Sequence, residues 1–293
     1  MSKKPTNTLD SFRIVDRFAL NRQMLLKKTT RSSDTIWQHM RVEYFESLLD
    51  KSKLCFKPIS SYNYELERNP LTYVYNISEM FSSEPLRLQV AFDKLNTNSY
   101  LSCWYRNAHI VTGIYNRFTS SANGKHDPRG GVAIRVSVSK LSKYLNSISL
   151  PNYNLIFNLG LVYYIPLASI EKHVIPNFKR ELKKNHSISS YIPYYFKKTN
   201  YGDENEFRIM LQVLEVSNPG KKVVIDKNPN QDPYFLPIDI AELIEGFAIP
   251  YSYYPIDAIN SNVLTLLDAK GLTAIEEDLN MDGYVFYRIE RKK

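Results

Sequence analysis

Hydrophobic positions along the chain alternate between the spacing of a strand and that of a helix. Residues 35–40 and 54–58 are short runs with β-branched, aromatic and other apolar side chains, and they predict strands. Between them, Phe45, Leu48 and Leu49 recur at helical spacing and predict a helix over 42–51. This order of strand, helix and strand indicates mixed α and β structure.

The same patterns continue through the rest of the chain. They predict strands over 101–105, 132–138, 160–165, 202–213, 221–225 and 284–287, and helices over 139–145, 238–243 and 263–270. Residues 1–33 are polar and basic and predict an N-terminal arm. We therefore expect one α+β domain over 34–293, with a single mixed, largely antiparallel sheet as its core and helices flanking it.

Composition sets the class of protein and of partner. The chain has 293 residues, of which 43% are hydrophobic and 13% aromatic, which is enough for a substantial core. Its net charge of +8 favours an anionic partner. Cys55 and Cys103 have no paired spacing, so we expect a reducing, cytoplasmic setting. The first residues lack the apolar stretch of a secretory signal, and the apolar run 155–170 is too short to span a bilayer, so we expect no membrane partner.

Two carboxylates and a guanidinium follow one another at every second residue near position 206. If 202–213 is a strand, then Glu204, Glu206 and Arg208 lie on one face and the apolar side chains Phe207 and Ile209 on the other. Such a polar face could line a catalytic cleft. It could equally be a solvated strand face with a weak ion pair.

The order of short motifs resembles that of a known family, the bacterial domain-of-unknown-function family numbered 2971. The resemblance covers roughly residues 35 to 250. It rests on seven motifs in order: Trp37-Gln38-His39-Met40, Leu54-Cys55-Phe56-Lys57-Pro58, Ser102-Cys103-Trp104, Ile114-Tyr115, Gly131-Val132-Ala133-Ile134, Gly160-Leu161-Val162-Tyr163-Tyr164 and Glu204-Asn205-Glu206-Phe207-Arg208.

The motif layout also looks distantly like that of ADP-ribosyltransferases, and this likeness implies NAD as a substrate. By that resemblance Glu206 would act at the ribose and Glu204 would position the acceptor. His39 would hydrogen-bond the ribose or a phosphate, Tyr115 would stack on nicotinamide, and Arg208 would pair with a carboxylate or phosphate. Cleavage of the bond from nicotinamide to ribose develops oxocarbenium charge, which a carboxylate stabilises. Such an enzyme would suit a toxin or a phage-defence system.

Each of these side chains also has an ordinary structural interpretation. A lone histidine such as His39 most often finds a backbone partner, and Tyr115 is one of 22 tyrosines, most of which are expected to serve packing. Cys103 fits a core strand, because a nucleophilic cysteine needs an adjacent base that the sequence does not supply. The remaining histidines have no spacing typical of metal ligands, so we predict no metal site.

A basic segment precedes the carboxylates and is followed by several tyrosines. This mixture of charge and stacking groups is typical of proteins that bind single-stranded nucleic acid, although it also fits a solvated helix face followed by packing aromatics. The candidate nucleic-acid contacts are Lys179, Arg180, Lys183, Lys184, Lys197 and Lys198.

Three function classes follow from the sequence. The first is an NAD-consuming transferase or glycohydrolase, and the second is a nucleic-acid-binding module without catalysis. The third is a nuclease in which Asp203, Glu204 or Glu206 binds magnesium. The third ranks last, because the lysine that usually follows such a carboxylate by two residues is Arg208 in this chain.

Overall fold

A computed structural model describes residues 34–62, 99–107, 131–149, 153–165, 195–198, 204–215, 232–250, 256–279 and 283–292. The predicted arm 1–33 and the predicted strand 221–225 lie outside these residues. The described part contains twelve strands: β1 Thr35–Arg41, β2 Lys53–Pro58, β3 Ser99–Arg106, β4 Gly131–Ser137, β5 Tyr153–Leu161, β6 Tyr163–Ile165, β7 Phe196–Lys198, β8 Glu206–Glu215, β9 Tyr234–Pro237, β10 Gly246–Pro250, β11 Leu272–Glu277 and β12 Tyr284–Arg291. Its α-helices are α1 Val42–Lys51, α2 Val138–Ser147, α3 Ile240–Leu243 and α4 Ile256–Ala269.

The fold class predicted from the sequence is confirmed. Ten of the described strands belong to one mainly antiparallel sheet, and β6 and β7 form a separate parallel pair. With its few helices the chain has an α+β fold. Among the described helices, none has the length and apolar character needed to cross a membrane.

The chain divides into two compact units, which are described separately. The first contains the described residues 56–62, 99–103, 146–149, 153–165, 195–198, 204–215 and 232–234. The second contains the described residues 34–55, 104–107, 131–145, 235–250, 256–279 and 283–292.

Strand β8 lies at the centre of the first unit. It pairs antiparallel with β5, where Gly160 lies opposite Arg208, and its other neighbour is β3. The prediction of a strand with one exposed polar face is wrong, because both faces of β8 are buried. Side chains from each face have almost no exposed surface: Glu206, Phe207, Arg208, Ile209, Met210, Leu211 and Gln212.

The second unit packs helices on one face of its strands. Antiparallel pairs join β11 to β12, β12 to β10, β10 to β4, β4 to β1, and β1 to the end of β3. Helix α1 buries Val42, Phe45, Leu48 and Leu49, which form the helical stripe seen in the sequence. The ring of Phe45 lies 5.0 Å from that of Phe247 on β10. This contact fixes α1 against the sheet.

The strand face of the second unit that is opposite Phe247 is an aromatic core. Trp37 and Phe286 meet edge to face, with their ring centroids 6.1 Å apart. Ala133 and Ala248 are completely buried between the larger side chains. His39 follows Trp37 at the strand spacing of two residues and therefore belongs to this same face.

Gly246 is required by the close approach of β12. A methyl group at this position would collide with the Phe286 ring and with the backbone oxygen of Tyr287, which cannot move without breaking the strand pair. We expect Gly246→Ala to reduce the free energy of unfolding by roughly 1–3 kcal/mol. Thermal denaturation followed by circular dichroism measures this, and an unchanged midpoint would contradict the packing described.

Candidate functional site

A left-handed residue sets the geometry just before β8. Asn205 has φ 46°, a conformation that asparagine adopts more readily than most residues. The strand therefore begins at Glu206, and Glu204 lies before it, outside the strand. The prediction that Glu204 shares a regular strand with Glu206 and Arg208 is wrong at Glu204. The two carboxylates are nevertheless linked, because the Lys197 ammonium contacts both of them.

The Glu206 carboxylate is held by three N–H contacts from two cations. Arg208 donates from Nε to Oε1 at 2.6 Å and from Nη2 to Oε2 at 3.2 Å. Lys197 donates from Nζ to Oε2 of Glu206 at 3.3 Å and to Oε2 of Glu204 at 2.6 Å. We call these four residues the charged cluster. It contains two anions and two cations, so its formal charges balance.

The charged cluster is buried, which excludes a solvated strand face for these residues. Arg208 is 1% exposed, while Glu204 and Glu206 are each 5% exposed. Paired charges in such a place interact far more strongly than on a surface, because water does not screen them. The loss of any one member would leave an uncompensated charge inside the protein.

The parallel pair of β6 and β7 brings Lys197 to the carboxylates. Tyr164 lies opposite Lys197 in this pair, and the Tyr164 hydroxyl accepts the backbone N–H of Glu206 at 2.9 Å. The backbone N–H of Val162 donates to the carbonyl of Glu206 at 2.8 Å. Glu206 is therefore fixed through its backbone as well as through its carboxylate.

Gly160 makes room for an aromatic ring beside this part of β8. Its position on β5 is opposite Arg208, and a Cβ there would come within 3.0 Å of the Tyr195 ring. Tyr195 is 1% exposed and directly precedes β7. The glycine thus lets Tyr195 pack at the entry to the strand that carries Lys197.

Cys103 and Tyr62 complete the surroundings of Glu206. The Tyr62 hydroxyl and the Cys103 sulfur lie 3.3 Å apart. Burial raises the pKa of the Cys103 thiol well above its usual range, and the neighbouring Glu206 carboxylate raises that pKa further. Burial likewise raises the pKa of Tyr62, to which the adjacent Cys103 adds. Both groups are therefore protonated at physiological pH.

Glu206 remains ionised under all physiological conditions. Burial alone would raise its pKa, but the charge and hydrogen bonds of Arg208, followed by the charge of Lys197, lower the pKa of Glu206 to about 2. A carboxyl group with this pKa is a poor general acid and a weak general base near pH 7. It suits electrostatic stabilisation of positive charge, or orientation of a hydroxyl group.

The reactivity of the Cys103 thiol tests the effect of the Glu206 carboxylate on its pKa. We expect Cys103 to react slowly with iodoacetamide at pH 8, and Glu206→Gln to accelerate the reaction on the order of tenfold. The reason is that Arg208 would then favour the thiolate without the opposing carboxylate, and each unit of pKa changes the thiolate fraction tenfold. Mass spectrometry of a Cys55→Ser background isolates the Cys103 adduct. Equal rates in both proteins would show that Glu206 does not control the thiol.

The other candidate residues from the sequence belong to the second unit or lie outside the described part. His39 belongs to the second unit, where its ring centroid lies 5.7 Å from that of Tyr105. Burial lowers the pKa of His39 to about 3, so the imidazole is neutral and offers no positive charge to a phosphate. Tyr115 lies outside the described residues.

Of the candidate nucleic-acid contacts, Lys197 lies inside the first unit and most of the others lie outside the described residues. Lys179, Arg180, Lys183 and Lys184 lie outside the residues that the structure describes, and for Lys198 only the backbone is described. Lys197 is described, and its ammonium binds Glu204 and Glu206 inside the first unit. The prediction of Lys197 as a phosphate contact therefore does not fit its position.

Metal ligation finds no support in the described part of the chain. No group of three or more histidine, cysteine, aspartate or glutamate side chains is arranged there to hold a metal ion. The carboxylates of Glu204 and Glu206 are already neutralised by Lys197 and Arg208. Asp203, the third predicted magnesium ligand, lies outside the described residues.

Comparisons with protein-family profiles, with curated proteins and with solved structures gave no match. The function is therefore argued from the residues of the charged cluster and from the chemistry that they allow.

Proposed function

We propose that this chain is an NAD-consuming enzyme that transfers or hydrolyses the ADP-ribosyl group, with Glu206 as its catalytic carboxylate. One observation carries the proposal: Glu206 is a buried carboxylate that Arg208 and Lys197 keep ionised and fixed in orientation. The order of motifs that resembles ADP-ribosyltransferases supports the same assignment.

The proposed chemistry needs a group of this kind. When the bond between nicotinamide and ribose breaks, positive charge develops on the ribose, and a fixed negative group nearby lowers the energy of that state. Because the pKa of Glu206 is about 2, the carboxylate requires no deprotonation before it acts. Glu204, held by the same ammonium, is the candidate for positioning the acceptor.

Nicotinamide release tests the proposal. Purified protein is incubated with NAD, alone and with cell extract, and free nicotinamide is measured by chromatography while mass spectrometry searches for ADP-ribosylated products. Release above the level of the extract alone is expected. Its absence with every extract would refute the proposal.

A nucleic-acid-binding module remains the second class from the sequence, and its test is separate. Such a module would bind labelled single-stranded DNA or RNA with strong salt dependence and would keep this binding in Glu206→Gln. The burial of Lys197 removes one of its proposed contacts, so we rank it below the NAD-consuming enzyme.

A further inference from the structure

Lys197 has a different environment from the one that its sequence context suggests. It belongs to a basic, tyrosine-rich segment, and such segments usually face solvent. The structure instead leaves it only 9% exposed, at a point where two carboxylates meet. A lysine is costly to bury unless it is paired, so this placement requires both the lysine and its partners.

Lys197 connects the two carboxylates, whereas the contacts of Arg208 in the charged cluster are to Glu206. The Nζ atom lies 2.6 Å from Glu204 and 3.3 Å from Glu206. Arg208 contacts both oxygens of Glu206, from the same strand. If Lys197 were absent, the charged cluster would hold two anions and one cation. The carboxylates would then repel each other, and Glu204 would lose the contact that holds it beside Glu206.

The short parallel sheet holds Glu206 at two points. Tyr164 on β6 accepts the backbone N–H of Glu206, and Lys197, opposite it on β7, donates to the Glu206 side chain. A change in β7 would therefore alter the orientation of the carboxylate even if the strand position of Glu206 were retained.

We propose that Lys197 is a positioning residue for Glu206: its ammonium holds Glu204 beside Glu206 and fixes the Oε2 atom of Glu206 in the orientation that the reaction uses. The inference rests on the proposed NAD-consuming function, and it assigns Lys197 to that site instead of to a nucleic-acid surface. Arg208 makes two of the three contacts to the Glu206 carboxylate, while Lys197 joins the two carboxylates into one unit.

Charge balance gives the first test, which needs no activity. We expect Lys197→Met to lower the thermal midpoint by about 10 °C, because it leaves two buried carboxylates with one cation. The double variant Lys197→Met with Glu204→Gln removes one charge of each sign and is expected to recover at least half of that loss. Lys57→Met, which removes a lysine from an exposed position in the first unit, is the matched control and should leave the midpoint within about 1 °C.

The thermal midpoint recovered by the double variant decides whether Lys197 is needed for its charge or only for its packing. This recovery can be measured even if Lys197→Met alone does not fold. A double variant as unstable as Lys197→Met would overturn the proposal. So would a Lys197→Met protein as stable as the Lys57→Met control, because the ammonium would then not hold buried carboxylates.

A carboxyl titration gives a second test, because it reports directly whether the Lys197 ammonium acts on the Glu206 carboxylate. Carbon-13 NMR of glutamate-labelled protein follows Glu206, with Glu206→Gln assigning the signal. In Lys197→Met, or in the double variant with Glu204→Gln if the single variant does not fold, we expect the pKa of Glu206 to rise from about 2 toward its ordinary value of 4.5; an unchanged titration would overturn the proposal. The charged and titratable groups that act on this carboxylate are Lys197, Arg208, Cys103, Tyr62, Tyr164 and Glu204.

Activity separates this inference from the function on which it rests. We expect Lys197→Arg to retain nicotinamide release within a few-fold and the folded double variant to lose at least tenfold in kcat relative to Glu204→Gln alone, with little change in KM. If wild-type protein releases no nicotinamide but the stability recovery and the titration shift are observed, the NAD-consuming function fails, while the pairing of Lys197 with both buried carboxylates stands. If release is normal in the double variant, the positioning role is refuted while the function survives.

Discussion

Replacing Arg208 by methionine is expected to reduce the free energy of unfolding by about 3–5 kcal/mol, because removing one partner of a buried ion pair leaves a charge without compensation. Arg208 is 1% exposed and binds both oxygens of Glu206. Without it, the charged cluster would keep two anions, Glu204 and Glu206, and one cation, Lys197. Chemical denaturation of the purified variant measures the change.

Two controls identify the cause of this loss. Arg291 pairs with Asp239 at 2.6 Å, but its side chain is 62% exposed, so Arg291→Met is expected to cost at most about 1 kcal/mol. The double variant Arg208→Met with Glu206→Met removes one charge of each sign and should be more stable than Arg208→Met alone. A double variant as unstable as the single one would show that packing, and not charge, makes Arg208 necessary.

The stability of the fold in acid also depends on the ionised Glu206 carboxylate. In the folded protein the pKa of Glu206 is about 2, below its ordinary value of 4.5, so ionisation of this group stabilises the fold above pH 4.5. That stabilisation is lost as the pH falls from 4.5 toward 2. Loss of Arg208 raises the pKa of Glu206 in the folded state, and we therefore expect Arg208→Met to unfold at a higher pH than the wild type.

The second large effect is expected on catalysis. Glu206→Gln keeps the size of the side chain but removes the negative charge, and we expect nicotinamide release to fall on the order of 10²–10³-fold, the usual effect of losing one fixed electrostatic contact. The fall should appear in kcat, because the carboxylate acts on charge that develops only in the transition state. Steady-state kinetics with NAD measure both constants.

A matched carboxylate variant serves as the control for that loss. Glu242 is exposed on α3, so Glu242→Gln changes the same chemical group at a solvent-exposed position and should leave the rate unchanged. A similar decrease in both variants would point to a general effect of charge. Because Glu206→Gln leaves Arg208 and Lys197 with fewer partners, its folding must be confirmed by circular dichroism first.

Local patterns in the sequence were sufficient to predict the elements in which the apolar side chains follow one regular spacing. The strand, helix and strand order over Thr35–Arg41, Val42–Lys51 and Lys53–Pro58 follows the predicted boundaries closely. In each, the apolar spacing matches one secondary-structure period over the whole element. Strands β9, β10 and β11 were not predicted, because they are short, and β10 in addition owes part of its pairing to β4, which is distant in sequence.

In the charged cluster, the sequence pattern predicted the positions of Glu206 and Arg208 but not that of Lys197. The spacing of Glu206 and Arg208 correctly placed them on one strand face, as their contact at 2.6 Å shows. Lys197 was predicted in a basic surface because runs of charge usually face solvent. Only the pairing of β6 with β7 brings it inward, and no local signal in the segment indicates that pairing.

The remaining neighbours of Glu206 were missed for the same reason. Cys103 was considered inert for lack of a base in its own sequence context, yet the fold brings Glu206 close to its thiol. Tyr164 lies in one of the seven motifs and Tyr62 in none, but as two of 22 tyrosines neither was assigned a role. The turn at Asn205 did have a signal, since Gly202, Asp203 and Asn205 all favour turns, and this signal argued against a strand beginning at 202.

The most direct test of a catalytic Glu206 is nicotinamide release from NAD by wild-type protein and by folded Glu206→Gln, measured side by side with the same cell extract. We expect release by the wild type and a loss of at least 100-fold in the variant. Equal release by the two proteins, or none by the wild type with any extract, would contradict this expectation.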